Sequence, residues 1–294
     1  VVASAQRGRR EAIVGVGPGT VARFIARHRR NPLLRLTATG AQMYLSAFAN
    51  EDWDLHRNGE RLLLEAVAGS AGPGFTAFDV GSFAGEWARV ALDRRPDAGV
   101  HCFEVVEHIY QRLRAELAGH PNVVVNNVGL WSKSGTLAGS FVGDLPTMSS
   151  LVPAVWDWTG SWGSADAERI SFDVPVQTGD EYCARAGIEH IDFLKVDVEG
   201  GEFEVIRGFD GLFQRGGVDL VQFEYGPLTL AGRRSLRDYQ ALFAEVGMLL
   251  GKIYPSHVQL YGNYYPGLDD FRWSNYVGVR PEVVDRIPEL FVPA

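Results

Sequence analysis

Two short stretches place carboxylates where an α/β protein does chemistry. In Ile191-Asp192-Phe193-Leu194-Lys195-Val196-Asp197-Val198-Glu199-Gly200-Gly201-Glu202, an apolar run carries Lys195 and Asp197 two residues apart, hence on one face of a strand. Asp197 ends that run with Glu199 just beyond it, and ligands of open α/β sheets bind beyond the carboxyl ends of the strands. The structural alternative is an ion pair of Lys195 with Asp197 or Glu199 that braces the turn, with Glu199 and Glu202 stabilised by the next helix's dipole. Val221-Gln222-Phe223-Glu224-Tyr225-Gly226 repeats the logic, with Glu224 at its end. If the two strands are neighbours about 4.8 Å apart, Asp197 and Glu224 face one cleft. Such a pair suits a general base with a raised pKa, or a hard metal ion. His257 is the one imidazole whose context puts it on this edge. Asp197, Glu224 and His257 are therefore the candidate catalytic set. No metal is expected; if one is used, Mg²⁺ on the same three residues is the expected form. Glu199 and Tyr225 are expected to touch substrate.

A second constellation is Phe78-Asp79-Val80-Gly81-Ser82-Phe83-Ala84-Gly85-Glu86-Trp87, a strand that turns through two glycines into a helix. Gly81 permits a tight bend and Gly85 close packing, which lets a ligand approach the backbone. The spacing is G-x-x-x-G rather than the dinucleotide G-x-G-x-x-G, and Asp79 opens it, so the loop suits a cofactor with a cationic ammonium and sulfonium. Glu104, 23 residues beyond Gly81 at the end of the next strand, can accept both ribose hydroxyls of an adenosine; its bland reading is a first-turn acid for the following helix. Asn127 closes the third strand on the adenine side, or is a turn residue.

The elements that must carry these residues are legible as a pattern. Up to residue 70 there are only helix-like stretches, Val21–Arg30, Ala41–Ala49 and Gly59–Val67, which predicts a helical extension over 1–70. After Gly69-Ser70-Ala71-Gly72-Pro73-Gly74, short apolar runs alternate with amphipathic ones over 71–294. Strands are expected at 76–80, 100–104, 123–127, 191–198, 219–225, 249–255 and 276–280, with helices at 85–94, 107–118, 180–186, 202–213 and 235–246. That is an α/β, Rossmann-like seven-stranded sheet, mostly parallel. No helix separates the last two strands, so they are expected as an antiparallel hairpin. Residues 141–172 interrupt the alternation; their Trp156, Trp158 and Trp162 read as the lining of a substrate lid, or as packing of an insertion.

Composition narrows the class. The 294 residues are 46% hydrophobic and 22% charged, as in globular proteins, and no apolar run nears the roughly 18–20 residues of a membrane span. The apolar piece Ala12 to Val16 is too short for a signal peptide, so a cytoplasmic enzyme is expected. Cys102 and Cys183 cannot build a disulfide framework or a four-thiolate zinc site. Residues 1–35 hold eight Arg against one acid, whereas 36–294 hold 20 basic and 35 acidic residues; that body repels nucleic acid. The basic segment reads as a helix docking onto the acidic body, or as a phosphate-binding arm.

With these motifs in view, the sequence resembles the FkbM-type S-adenosylmethionine-dependent methyltransferases. Ile191 to Gly208 is similar to that family's I-D-x-x-K-x-D-V-E-G-x-E-x-x-V-x-x-G segment nearly position for position. Asp52-Trp53-Asp54 with Asn58-Gly59-Glu60, the Asp79 to Gly85 loop, Phe103-Glu104, Ser149-Ser150-Leu151 and Phe223-Glu224-Tyr225-Gly226 match further blocks, so the likeness covers about 50–280. One departure is Thr178-Gly179-Asp180, where the family usually has Thr-Leu-Asp. The resemblance implies S-adenosylmethionine held by Asp79, Gly81, Ser82, Gly85 and Glu104, with Asn127 near the adenine, Glu60 closing the site, and Asp197 bordering the methyl group. It also implies the reversed last strand.

The expected activity is methyl transfer to a hydroxyl of a natural product or sugar-containing small molecule, with no nucleic-acid or membrane partner. The three tryptophans favour a bulky glycosylated or polyketide-like acceptor. N- or carboxyl-methylation on the same fold and a non-catalytic cofactor-binding partner in a biosynthetic complex are the alternatives.

Overall fold

The computed structural model describes residues 18–142, 145–155 and 169–294. The chain divides into two compact units, Val1–Phe48 and Ala49–Ala294. The first contains α1 (Pro18–Arg27) and α2 (Pro32–Phe48). The boundary expected near residue 70 thus moves to Phe48, because α3 (Glu60–Ser70) belongs to the second unit. The fully buried Leu63, Leu64 and Val67 tie α3 to that unit's core, an apolar burial on the order of 5 kcal/mol.

The second unit is built on a nine-stranded sheet. Its strands are β1 (Thr76–Val80), β2 (Gly99–Phe103), β3 (Val123–Asn126), β8 (Phe193–Val196), β9 (Leu220–Tyr225), β10 (Leu249–Tyr254), β11 (His257–Tyr261), β12 (Ser274–Val279) and β13 (Phe291–Pro293), in the order β13-β11-β10-β12-β9-β8-β1-β2-β3. β3, β2, β1, β8 and β9 pair in parallel, and β12 lies antiparallel between β9 and β10. All seven expected strands are present and contiguous in this order. β11 and β13 extend the sheet at one edge. β10 and β12 do pair antiparallel, but the tight hairpin joins β10 to β11, because Pro255-Ser256 turns the chain at once.

Helices cover both faces. α3 and α4 (Glu86–Arg94) lie over the face carrying Ala77, Phe193 and Val277; α6 (Gly179–Ala186), α7 (Glu202–Arg207) and α10 (Leu236–Glu245) lie over Phe78, Val196 and Phe223. α5 (Glu107–Glu116) follows β2. The helix expected over 202–213 is two, α7 and α8 (Asp210–Gln214), which break at Gly208, where a Cβ would lie 2.3 Å from the Trp131 carbonyl oxygen. A short α9 (Pro227–Ala231) follows β9. Gly179, the departure from the family pattern, sits where a Cβ would meet the Phe209 ring at 2.3 Å, so Phe209 occupies the space a larger residue would need. Cys102 and Cys183 are free and buried.

The described residues of the expected interruption, 141–172, contribute to a second sheet that begins before it and ends after it. β4 (Gly129–Leu130), β5 (Gly135–Val142), β6 (Leu145–Ser150) and β7 (Arg169–Gln177) form a second, four-stranded sheet in the order β4-β7-β5-β6. Its small and polar residues hide the strand period. Trp156, Trp158 and Trp162 lie outside the described residues.

Candidate active site

Because β1, β2, β8 and β9 are parallel, their carboxyl ends bring Asp79, Glu104, Asp197 and Glu224 to one edge of the sheet. Register aligns Asp79 with Lys195 and Lys195 with Gln222, so a polar row runs across three strands on the face covered by α3 and α4. The Lys195 amine lies 3.0 Å from an Asp197 carboxylate oxygen and 3.9 Å from Asp79 Oδ1. Burial alone would depress this amine's pKa; Asp197, Asp79 and Glu60 outweigh burial and raise it, so Lys195 carries its charge.

Glu60 reaches the row from the N-terminus of α3. It is buried and accepts hydrogen bonds from the side chains of Asn58 (2.6 Å), Asn275 (3.0 Å) and Gln222. Gly59 makes this approach possible: φ is 100°, and a Cβ there would lie 2.1 Å from the Tyr254 carbonyl oxygen. Burial raises the Glu60 pKa against the pull of Lys195.

The loop after β1 is shaped by Gly81, with φ of 84° and room for no Cβ against the Asp197 carbonyl oxygen. The Ser82 hydroxyl donates to the Asp79 carbonyl oxygen (2.6 Å) and accepts from the Phe103 amide. Gly85 takes φ of 72° beside Leu113. Glu104 is buried and accepts the amides of Phe83 (3.1 Å) and Val106 (2.8 Å), so it fastens this loop to the start of α5 while each carboxylate oxygen keeps a lone pair. Burial lifts its pKa to about 6 despite those amides. Asn127 donates to the carbonyl oxygens of Glu104 and Val105 and lines neither cavity described below.

A cleft of about 740 Å³ opens over this edge, lined by Glu60, Asp79, Asp197, Glu199 and Glu224 together with Trp53, Trp87 and Trp273. A smaller cavity of about 60 Å³ adjoins it through Gly81, Phe83, Asp197 and Glu199. Glu104 and the apolar Val105, Val128, Leu130, Trp131 and Leu151 complete its wall. Phe83 (φ 43°) and Glu199 (φ 58°) hold left-handed backbone here, a conformation that clusters at functional sites. Glu199 and Glu224 have pKa values raised well above the ordinary range, first by burial and then by Asp197, with Glu202 adding to both and Glu199 to Glu224. Glu202, behind them, accepts the amides of Val198 and Gly200, and burial lifts it to about 7.

The structure corrects two expectations. His257 opens β11, with its ring 5.2 Å from Tyr254, and is not at the cleft; the β10–β11 hairpin carries it elsewhere. The trio of Asp197, Glu224 and His257 therefore does not assemble; among the described residues the one convergent His, Cys, Asp or Glu trio is His190, Asp192 and Asp219, at the other end of β8 and β9. Tyr225 is fully buried on the opposite sheet face from Glu224 and donates its hydroxyl to Asp269, as strand alternation requires. Sequence reasoning missed Trp87, Trp273 and Asn275. Trp273 directly precedes β12 and Asn275 is its second residue, and no local motif marks either.

Asp79 is the anomaly of the site. It is 1% exposed, and neither carboxylate oxygen has a hydrogen-bond partner among the described residues. Burial raises its pKa from 3.8 to about 6, with Lys195 opposing and Asp197 reinforcing. A carboxyl whose folded pKa is raised costs stability as pH climbs from its unfolded to its folded value, here from about 4 to about 6. Asp79→Asn is therefore expected to stabilise the free protein by about 1–3 kcal/mol at pH 8 and by nothing near pH 4. Urea unfolding of both proteins across that range checks this; a variant less stable at pH 8 would mean that Lys195 needs the Asp79 charge.

The family model described as the methyltransferase FkbM domain matches residues 79–250, well over half of the chain. The chain is 27% identical over 139 residues to the 2-O-methyltransferase NoeI of Sinorhizobium fredii (44% of this chain, 55% of that protein). It is 29% identical over 153 residues to the methyltransferase sdnD of Sordaria araneosa (45% and 59%). It thus spans just over half the length of these curated relatives. Solved structures to which it is similar include S-adenosylmethionine-dependent methyltransferases from Aquifex aeolicus (TM-score 0.38, 13% identity, 78% of this chain and 92% of that one) and Agrobacterium tumefaciens (TM-score 0.41, 10% identity, 76% and 61%). The Asp79 to Gly85 loop, Glu104 and the Lys195 to Glu202 segment all lie within the matched region, and the chain belongs to the FkbM methyltransferase family.

Proposed function

We propose that this chain is an S-adenosylmethionine-dependent O-methyltransferase acting on a hydroxyl of a small molecule. The observation that carries the reading is Asp79, a buried carboxylate on the wall of an acid-lined cleft whose two oxygens accept no hydrogen bond among the described residues and whose one cationic neighbour there, Lys195, stands off at 3.9 Å. Such a group calls for a cationic ligand, and the ammonium and sulfonium of S-adenosylmethionine fit it. The residues present suit the rest of that cofactor: Glu104 has free lone pairs for ribose hydroxyls, and the apolar cavity beside it is lined for a flat ring. Gly81, Ser82 and Gly85 set the loop, Asn127 braces the Glu104 backbone, and Glu60 with Asp197 borders the cleft. Bound there, the cofactor supplies an electrophilic methyl group.

What remains for the protein is to align an acceptor oxygen and take its proton. Glu224, raised well above the usual carboxylate range, is the base, with Glu199 beside it in the cleft. The indoles of Trp53 and Trp273 offer flat apolar surface to an acceptor. Oxygen as the acceptor atom is supported by the name of the Sinorhizobium fredii relative. An amine acceptor also suits this negative lining, whereas a carboxylate acceptor is repelled by it. A glycosylated or polyketide-like acceptor remains the proposed class.

The test is calorimetric titration with S-adenosylhomocysteine, followed by a methylation assay on hydroxyl- and amine-bearing acceptors. Glu104→Ala is expected to weaken binding at least about tenfold, since it removes charge-assisted hydrogen bonds. Absence of binding to the wild-type protein would sink the reading.

A further inference from the structure

The first unit carries a concentration of exposed apolar side chains that the described residues of the second do not share. In α1, Val21, Phe24 and Ile25 lie on one face and Arg23 and Arg27 on the opposite one. In α2, Leu33, Leu36, Met43, Tyr44 and Phe48 share a face, with Arg35, Gln42 and Ser46 opposite, and no residue of this 17-residue helix is buried. Nine large apolar side chains are exposed between Val21 and Phe48, Leu33 by 73%; seven are spread over the other described residues. Residues 18–48 hold five Arg and no acid.

We infer that α1 and α2 form an interfacial anchor that lays its apolar face into the surface of an anionic lipid bilayer. Segregation of aromatic and aliphatic side chains from arginines, with no acid between them, is the pattern of a helix at a headgroup boundary. The arginines meet lipid phosphates while Phe24, Leu36, Met43 and Phe48 enter the acyl region. Two copies packed by these faces would cover the apolar side chains but give the arginines, which lie opposite, no acid to pair with within residues 18–48. Nucleic acid would leave the apolar faces uncovered, and the acidic body repels it. The body's repulsion from an anionic bilayer is screened within about 8 Å at physiological salt, whereas apolar insertion is not screened. No helix among the described residues is long and apolar enough to cross a membrane, so this surface lies on a bilayer rather than in it.

Flotation of the full chain with vesicles of phosphatidylcholine alone, and of phosphatidylcholine and phosphatidylglycerol in equal parts, tests the proposal. Binding is expected to the mixed vesicles, and Phe24→Asp with Leu36→Asp is expected to weaken it by about tenfold or more. Arg23→Glu with Arg27→Glu should weaken it too, while Phe24→Leu with Leu36→Met retains it. S-adenosylhomocysteine affinity and the thermal transition of the second unit serve as folding controls. Equal binding by wild type and the Asp variant, or none to mixed vesicles, overturns the anchor. So does a dimer in light scattering, or RNA capture, that the Asp substitutions abolish in the absence of vesicle binding.

Discussion

Glu224→Gln is expected to lower turnover of a hydroxyl acceptor by about 100-fold or more, while S-adenosylhomocysteine binding stays within about twofold of wild type. The substitution keeps the shape and removes the ability to take a proton. Glu224 lines the cleft at the end of β9, and burial first, then Asp197, Glu199 and Glu202, raise its pKa well above the ordinary value. As a base it works only when deprotonated, so wild-type kcat should rise with pH through that raised pKa, and the rise should vanish in Glu224→Gln. If turnover and its pH profile survive, the proton leaves by another route, and Glu199→Gln becomes the variant to measure. If binding of the cofactor product falls together with turnover, Glu224 belongs to the cofactor site rather than to the acceptor.

The parts of this site that could be read in advance share one property: they lie within a few residues of each other on an element whose period is clear. Lys195 and Asp197 sit two apart on β8, and Asp79, Gly81, Ser82 and Gly85 sit on one strand-to-helix turn, so alternation and glycine spacing place them. The seven sheet strands were legible for the same reason. The two strands added beyond β10 were not, because β11 follows β10 after a two-residue turn and β13 is three residues long. Glu60 meets Gln222 and Asn275 across 162 and 215 residues, so only family resemblance pointed to it. His257 shows the reverse failure: a turn of Pro255-Ser256 looks like a loop at the cleft and is a hairpin away from it. Tyr225 was misplaced by proximity to Glu224; one residue along a strand is the other side of the sheet.

Lys195→Met is expected to destabilise the protein by about 3–5 kcal/mol at pH 8, as loss of one partner from a buried ion cluster does. Lys195 is the cation of the row, buried among Glu60, Asp79 and Asp197, and Met keeps its length without its charge. The half-exposed Asp197, its side chain 37% accessible, relaxes into water and contributes little. The cost falls on Glu60 and Asp79, which burial already pushes upward and which lose their opposing charge. The sign with pH follows: protonation neutralises both acids, so the deficit of the variant should shrink as pH falls from 8 towards 5. Equilibrium urea unfolding at both pH values measures it. A loss below about 1 kcal/mol at pH 8 would mean that these carboxyls are already neutral in the wild-type protein. Adding Asp79→Asn to Lys195→Met separates the contributions, because residues in one charged row do not act additively. Recovery of part of the lost stability in the double variant would identify Asp79 as a buried charge that Lys195 stabilises.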